Sequence, residues 1–349
     1  NRPITHEYAG NLADVCPVGA LLSRDFRFKM RVWFLKGHES VCPGCSTGCN
    51  VWIDERDSEV YRLRPRRNPD VNRSWLCDPG RALYREVGLA ARITGARLRG
   101  AGSWDGLSLG EALDRVAKAL REAAEASAFV ATPQATNEDL YAFKALAEAV
   151  GGKLDFRVGE PQQKVRTWRD RILQHQDRNP NTQGCLDQAL DRDGIPAIVE
   201  ACRAGRIEAL VLQGPELLRQ PEAAEAIAQV PFVVVMATHE GPELDRVHAV
   251  LPAALWAEVD GTFTNFQRRV QRLRAAVVAP GEARPRWEIA ASLLQRLGRP
   301  LAATSARELF ALLAAVTPDY GGLDHRAIGP LGRLLPLAEP VGNTLAGPA

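Results

Sequence analysis

The stretch Ile207-Glu-Ala-Leu-Val-Leu212-Gln-Gly-Pro-Glu-Leu-Leu-Arg-Gln-Pro221-Glu-Ala-Ala-Glu-Ala-Ile-Ala-Gln229-Val-Pro-Phe232-Val-Val-Val-Met236 reads as strand, turn, helix, strand. Its two apolar runs are too short for helices, rich in branched residues, and bounded by Gly214-Pro215 and Pro231. Pro221 suits the first turn of a helix, where a missing N–H costs nothing. The runs are apolar without alternation, so both faces are expected to be buried, as in a parallel sheet covered by helices.

The pattern extends on both sides. Ser108 and Glu111 form a capping box for a helix with Leu109, Ala112, Leu113, Val116, Ala119 and Leu120 on one face. Residues 128–131 read as a strand, and 136–150 as a helix stopped by Gly151-Gly152. Residues 154–158 read as a strand, Ile195–Arg203 as a helix, 250–251 as the start of a strand and 287–297 as a late helix. Alternating strands and helices indicate an α/β body over 93–300. Residues 162–188 are expected as helix followed by loop, 81–103 as a Gly- and Arg-rich linker, and 301–349 as a partly loose C-terminal segment. No P-loop and no G-x-G-x-x-G follows a strand.

The 349 residues allow two or three domains. A net charge of +2 carries no nucleic-acid signature, and no apolar run approaches the ~20 residues of a membrane span, so membrane association is expected only through partners. Eleven arginines stand against five acids between Arg56 and Arg99; this is either a surface for an acidic partner or a solvated face. The chain starts at Asn1 without the look of a signal peptide and is expected to be N-terminally incomplete.

The chemistry lies in Cys42, Cys45, Cys49 and Cys77, spaced C-x2-C-x3-C-x27-C. Gly44 and Gly48 precede two of them and are expected to let the loop curl through positive φ. Three thiolates on one loop and a fourth returning from afar suit a [4Fe–4S] cluster. Zinc remains open, although zinc knuckles divide their ligands two and two; unmetallated thiols also remain open. Between Cys49 and Cys77, residues 51–63 alternate around Asp57-Ser58 as a β-hairpin that would bring Cys77 back. Upstream, Cys16-Pro17 has the form that ends a ferredoxin-type ligand run. Cys16 is either the last ligand of a second cluster or a buried thiol.

Cys42-Pro-Gly-Cys45-Ser-Thr-Gly-Cys49, Asn72-Arg-Ser-Trp-Leu-Cys77-Asp-Pro-Gly-Arg81 and Glu258-Val-Asp-Gly-Thr-Phe-Thr-Asn265 resemble the iron–sulfur module and body motifs of molybdopterin oxidoreductases. Gly10-Asn-Leu-Ala-Asp-Val-Cys16-Pro-Val-Gly-Ala20 narrows the likeness to the large iron–sulfur subunit of NADH-quinone oxidoreductases (respiratory complex I). The resemblance implies a β-rich 4Fe–4S module over 37–92, after the end of a ferredoxin-like domain over 1–36. It makes Cys16 the last ligand of a second [4Fe–4S] cluster whose other ligands lie upstream, and it leaves His6 out.

Partners would be the flavin- and NADH-binding subunit and the quinone-side subunits, in a peripheral arm on the cytoplasmic side of a bacterial inner membrane. Catalytic members carry a lysine soon after the fourth cysteine, where this chain has Pro79, and their bodies are longer. No molybdopterin is therefore expected, and the implied role is electron relay without a catalytic residue. The alternatives are a catalytic molybdenum or tungsten oxidoreductase of the formate dehydrogenase type and a zinc-stabilised scaffold.

The remaining candidates read as structural. Cys185 and Cys202 are expected as buried thiols; His239, His248 and His325 as surface or satisfied histidines; Trp52 and Trp75 as packing beside the module. Asp260-Gly261 with Thr262, Thr264 and Asn265 could cradle a phosphate, but turn and packing are the expectation.

Overall fold

The structure, a computed structural model, describes residues 4–100, 103–157, 169–170 and 172–336. A short helix α1 (Asn11–Val15) ends at Cys16. The three-stranded antiparallel sheet β1 (Lys36–Val41), β2 (Asn50–Arg56) and β3 (Glu59–Pro65) follows, in that spatial order. The β2–β3 hairpin turns at Asp57 and Ser58, both at positive φ (53° and 65°). Two consecutive left-handed residues match the twist of paired strands. Helices α2 (Asp78–Ala82) and α3 (Tyr84–Val87) complete this unit.

Residues 81–103 are not the linker their composition suggests: besides α2 and α3 they hold β4 (Ala96–Arg99), which joins the body sheet. It pairs with β5 (Trp104–Leu107), and α4 (Leu109–Ala123) carries the expected capping box. The chain continues through β6 (Ser127–Val130), α5 (Asn137–Val150), β7 (Lys153–Asp155), α6 (Thr182–Asp187), α7 (Ile195–Arg203), β8 (Ala209–Leu212), α8 (Pro221–Ile227), β9 (Phe232–Ala237) and β10 (Ala249–Pro252). Gly151 closes α5 at φ +81°, a conformation that costs other residues energy. Within 162–188, residues 172–181 are irregular, and the expected loop ends in a short helix, α6. Residues 162–168 of the expected helix, and residue 158 of the expected strand, lie outside the described residues.

The seven-stranded sheet has the order β5-β4-β10-β9-β8-β6-β7, with β10 through β7 parallel. Alternate residues enter two cores, as a strand's period of two requires. Phe129, Val211, Val234, Met236 and Leu251 pack with α4, α5 and α9 (Arg286–Arg296). Val130, Leu210, Leu212, Val233, Val235 and Val250 pack with α7 and α8. Each such fully buried side chain contributes roughly 1.5–3 kcal/mol.

The strand order reverses between β6 and β8, where open α/β sheets place ligands. Here that crevice is occupied by its own side chains. Gln213 Oε1 accepts from Thr132 N–H at 3.2 Å, and its Nε2 donates to the Asp139 carbonyl at 3.0 Å. Arg286 Nε donates to the Gln213 carbonyl at 2.9 Å.

Strands β11 (Gly261–Thr264), β12 (Arg269–Leu273) and β13 (Arg333–Leu334) form a third sheet. The described part of the C-terminal segment is ordered. Helix α10 (Ala306–Val316), Tyr320, Ile328 and Leu335 pack on Val270 in a core of their own, while residues 337–349 lie outside the described residues. The iron–sulfur-type module is not a separate bead, since Val41, Ile53 and Leu63 share a core with Leu255, Phe263 and Leu273 of the body.

Candidate metal centre

The loop between β1 and β2 carries three of the four cysteines, and Cys42 N–H donates to the Cys49 carbonyl at 2.8 Å, closing it at its neck. Gly48 turns it at φ +64°. A Cβ there would lie 2.7 Å from Gln271 Oε1, so glycine also admits β12. Gly44 does not use positive φ; its service is space, since a Cβ would lie 3.5 Å from Cys42 Sγ and 3.2 Å from Leu83.

Cys77 caps the start of α2, and its Sγ accepts from Gly80 N–H at 3.3 Å. A Cβ on Gly80 would stand 3.2 Å from Cys77 Sγ and 3.3 Å from Cys42 Sγ. The bare Cα of Gly80 therefore sits between two of the sulfurs.

All four cysteines are buried, at 4–7 % exposure, around one cavity of about 120 Å³. Among the described residues no three Cys, His, Asp or Glu side chains are close enough to hold a single metal ion. Burial, then the neighbouring thiols, pushes Cys42 and Cys49 well above the usual thiol range, and burial pushes Cys77 up to about 11. Four thiolates in so dry a pocket need a compensating positive charge, which a metal core supplies.

The body closes over this cavity from more than a hundred residues away. Thr47 Oγ donates to the Leu173 carbonyl at 2.6 Å, and Ser46 N–H to the Asp177 carbonyl at 2.9 Å. Asn265 Nδ2 and Gln271 Nε2 donate to the carbonyls of Thr47 and Gly48, both at 3.0 Å. Leu173, Gln174 and Arg178 line the cavity with Pro79, and the Arg178 charge acts on Cys42 and Cys77. Asp170 holds this loop, accepting from the N–H groups of Ile172, Leu173 and Gln174 at 2.9–3.1 Å and from the Tyr8 hydroxyl.

Sequence reading missed Leu173, Gln174 and Arg178, because nothing local marks them. Asn265 lay inside a recognised motif, but its contact with the cysteine loop did not show in the string.

The other candidates fall elsewhere. Cys16 does not line the cavity; it is half-buried, and its Sγ accepts from Leu21 N–H at 3.4 Å. That bond, with others from Val18, Gly19 and Ala20, holds the thiol below its usual range. Cys185 and Cys202 sit in the two cores beside the sheet. His239 and His248 are hydrogen-bonded, and His325 is buried against Glu138 at 3.0 Å. Trp52 is half-buried in β2, and Trp75, 47 % exposed, packs edge-on against Tyr8 with ring centroids 6.3 Å apart.

The Asp260–Asn265 stretch is packing. Thr262 N–H donates to Glu138 at 2.8 Å, Thr264 N–H to Asn181 at 2.7 Å, and Asn137 Nδ2 reaches both threonine hydroxyls at 3.0 Å. The arginine run from 56 to 99 is largely spent internally: Arg62 and Arg64 pair with Asp54, Arg81 with Asp14, Arg85 with Asp25, Arg92 with buried Glu258 and Arg97 with Glu240.

Comparison with known proteins agrees with this geometry. Residues 35–88 match the family model for the molybdopterin oxidoreductase Fe4S4 domain, and residues 183–296 match the molybdopterin oxidoreductase model. The chain is 38% identical over 158 residues to the mitochondrial NADH dehydrogenase [ubiquinone] iron-sulfur protein 1 of Solanum tuberosum, covering 45% of this chain and 21% of that protein. It is 29% identical over 283 residues to an NADH-quinone oxidoreductase subunit of Rhizobium meliloti, covering 73% and 32%. It is also 42% identical over 118 residues to the F420-dependent formate dehydrogenase 2 subunit alpha of Methanococcus maripaludis, covering 33% and 18%. The chain thus spans a third or less of each of these relatives.

Among solved structures, acetylene hydratase from Pelobacter acetylenicus superposes with a TM-score of 0.61 over 82% of this chain and 72% of that chain, at 9% identity, a likeness of fold alone. On these grounds the chain is a homologue of the large iron–sulfur subunit of the NADH-quinone oxidoreductases, with a body of the molybdopterin oxidoreductase fold.

Proposed function

We propose that this chain is an electron-carrying subunit of an NADH:quinone oxidoreductase, with Cys42, Cys45, Cys49 and Cys77 holding one [4Fe–4S] cluster. The observation that carries the reading is the four buried sulfurs around one small cavity. The three-and-one division of the cysteines, Cys42, Cys45 and Cys49 on one loop and Cys77 on α2, favours a cluster over a single zinc, whose knuckles divide their ligands two and two. A cluster there would supply one-electron transfer. The chain's own part is to exclude water, to donate the Gly80 N–H to Cys77 Sγ, and to set the Arg178 charge beside the site.

The finer parts of the reading follow the same homology. Residues 1–36 end a ferredoxin-like domain, 37–92 are the cluster module, 93–300 the body and 301–349 a C-terminal segment. Cys16 completes a second cluster with upstream ligands. The body binds no molybdopterin, which is supported by Pro79 at the cavity wall and by the self-filled crevice between β6 and β8. The partners are the flavin- and NADH-binding subunit and the quinone-side subunits, on the cytoplasmic side of the membrane. Among the described residues no helix is long and apolar enough to cross a membrane.

Anaerobic reconstitution with iron and sulfide, followed by metal analysis and EPR of the reduced protein, tests this. A cubane signal with iron and no molybdenum or tungsten is expected. Stoichiometric molybdenum would establish the formate dehydrogenase-type reading instead, and zinc without an EPR signal the scaffold reading.

A further inference from the structure

Unlike most arginines of residues 56–99, four arginines gather around one cleft with few ionic partners. A cleft of about 670 Å³, within the range of small-ligand sites, is walled by Arg272 and Arg274 at the end of β12, Arg307 at the start of α10, and Arg326. The acid in its lining is Asp260. Arg307 and Arg326 take part in no ion pair among the described residues, and Arg274 reaches Glu39 only at 4.0 Å. Arg272 is half-buried; its Nη1 donates to the His325 carbonyl at 3.3 Å, while its Nε is buried without a hydrogen-bond partner. Burial and the neighbouring Arg274 both act against the Arg272 charge. Asp324 and Glu308, outside the lining, offset part of the field at Arg307, and Asp324 also at Arg326. The eleven-residue α10 points its N-terminus into the cleft through Ser305 and Ala306, adding the positive end of its dipole.

Like charges held together in a concavity repel unless an anion joins them. Guanidinium groups bind phosphate oxygens through paired hydrogen bonds. We propose that this cleft is a binding site for a ligand bearing two or more linked phosphates. The site lies where β12, α10 and the 325–330 segment meet, separate from the cysteine cavity, and does not depend on what that cavity holds.

Isothermal titration of the chain with inorganic pyrophosphate, and separately with ADP, tests it. Pyrophosphate is expected to bind the wild-type chain, to weaken at least about tenfold in the double variant Arg307→Gln/Arg326→Gln, and to be unaffected by Arg203→Gln, which removes a surface arginine paired with Glu200. Tighter binding of ADP would identify a nucleotide ligand, and equal or weaker binding an inorganic phosphate chain. No binding to the wild-type chain, or equal binding to the double variant and the wild type, would overturn the proposal.

Discussion

The cysteine cavity and the β6–β8 crevice are both places where a fold of this kind builds ligand sites, and they are finished in opposite ways. Around the cavity, glycine at 44 and 80 withholds side chains so that sulfurs face open space. In the crevice, Gln213, Thr132, Asp139 and Arg286 bond one another. A site meant for a ligand leaves its strongest ligating atoms uncommitted, whereas a surface meant for packing satisfies its polar atoms from within. The module also depends on the body: Thr47, Ser46 and Gly48 are held by Leu173, Asp177 and Gln271.

The largest expected effect breaks the first side of this contrast. Cys45→Ala should abolish the reduced-cluster EPR signal and lower bound iron to background; full retention of both would remove the cavity as the cluster site. On the body side, Glu138→Ala leaves His325 and Thr262 N–H without their acceptor in the interior. Chemical denaturation should show a loss of roughly 3–5 kcal/mol. Gln213→Ala should cost about 1–3 kcal/mol by the same measurement while leaving iron content unchanged. If iron or any bound cofactor fell with Gln213, the crevice would be a ligand site after all.

A pH experiment probes the seam between the two regions. Burial alone would raise the Asp170 carboxyl, but the Tyr8 hydroxyl and the amides of residues 172–174 outweigh it and hold the group below its usual value. A depressed carboxyl stabilises the fold above the unfolded value and loses that contribution as pH falls through the folded one. Amide protection of residues 172–174 should therefore hold above about pH 4 and decline below it. Asp170→Asn should show no such decline; an identical decline in that variant would exclude Asp170 as the cause. The smallest effect concerns Arg178. Replacing it by glutamine removes a positive charge beside the sulfurs and should lower the cluster midpoint potential by tens of millivolts in an EPR-monitored titration, with the signal intact. An unchanged potential would mean that solvent screens this exposed side chain.

Legibility in the string followed the range of the interaction. Strands 209–212 and 232–237, the capped helices α4 and α5, and the Asp57-Ser58 turn were readable because hydrophobic period, caps and turn residues act over a few positions. Composition misled at 81–103, where β4 looks like linker because a four-residue strand shows little apolar pattern until β5 and β10 lie on either side of it. After 300 composition showed little, and α10 and β13 gain order by packing on Val270 and pairing with β12.

The sequence by itself determined the α/β body, the hairpin and the four cysteines, because local periodicity and spacing encode them. The tertiary structure alone decided that Arg178 joins the cavity, that most arginines of 56–99 are internally paired, and that Arg272, Arg274, Arg307 and Arg326 converge. Those facts depend on which residues far apart in the chain become neighbours, and electrostatic and packing energies belong to neighbours in space.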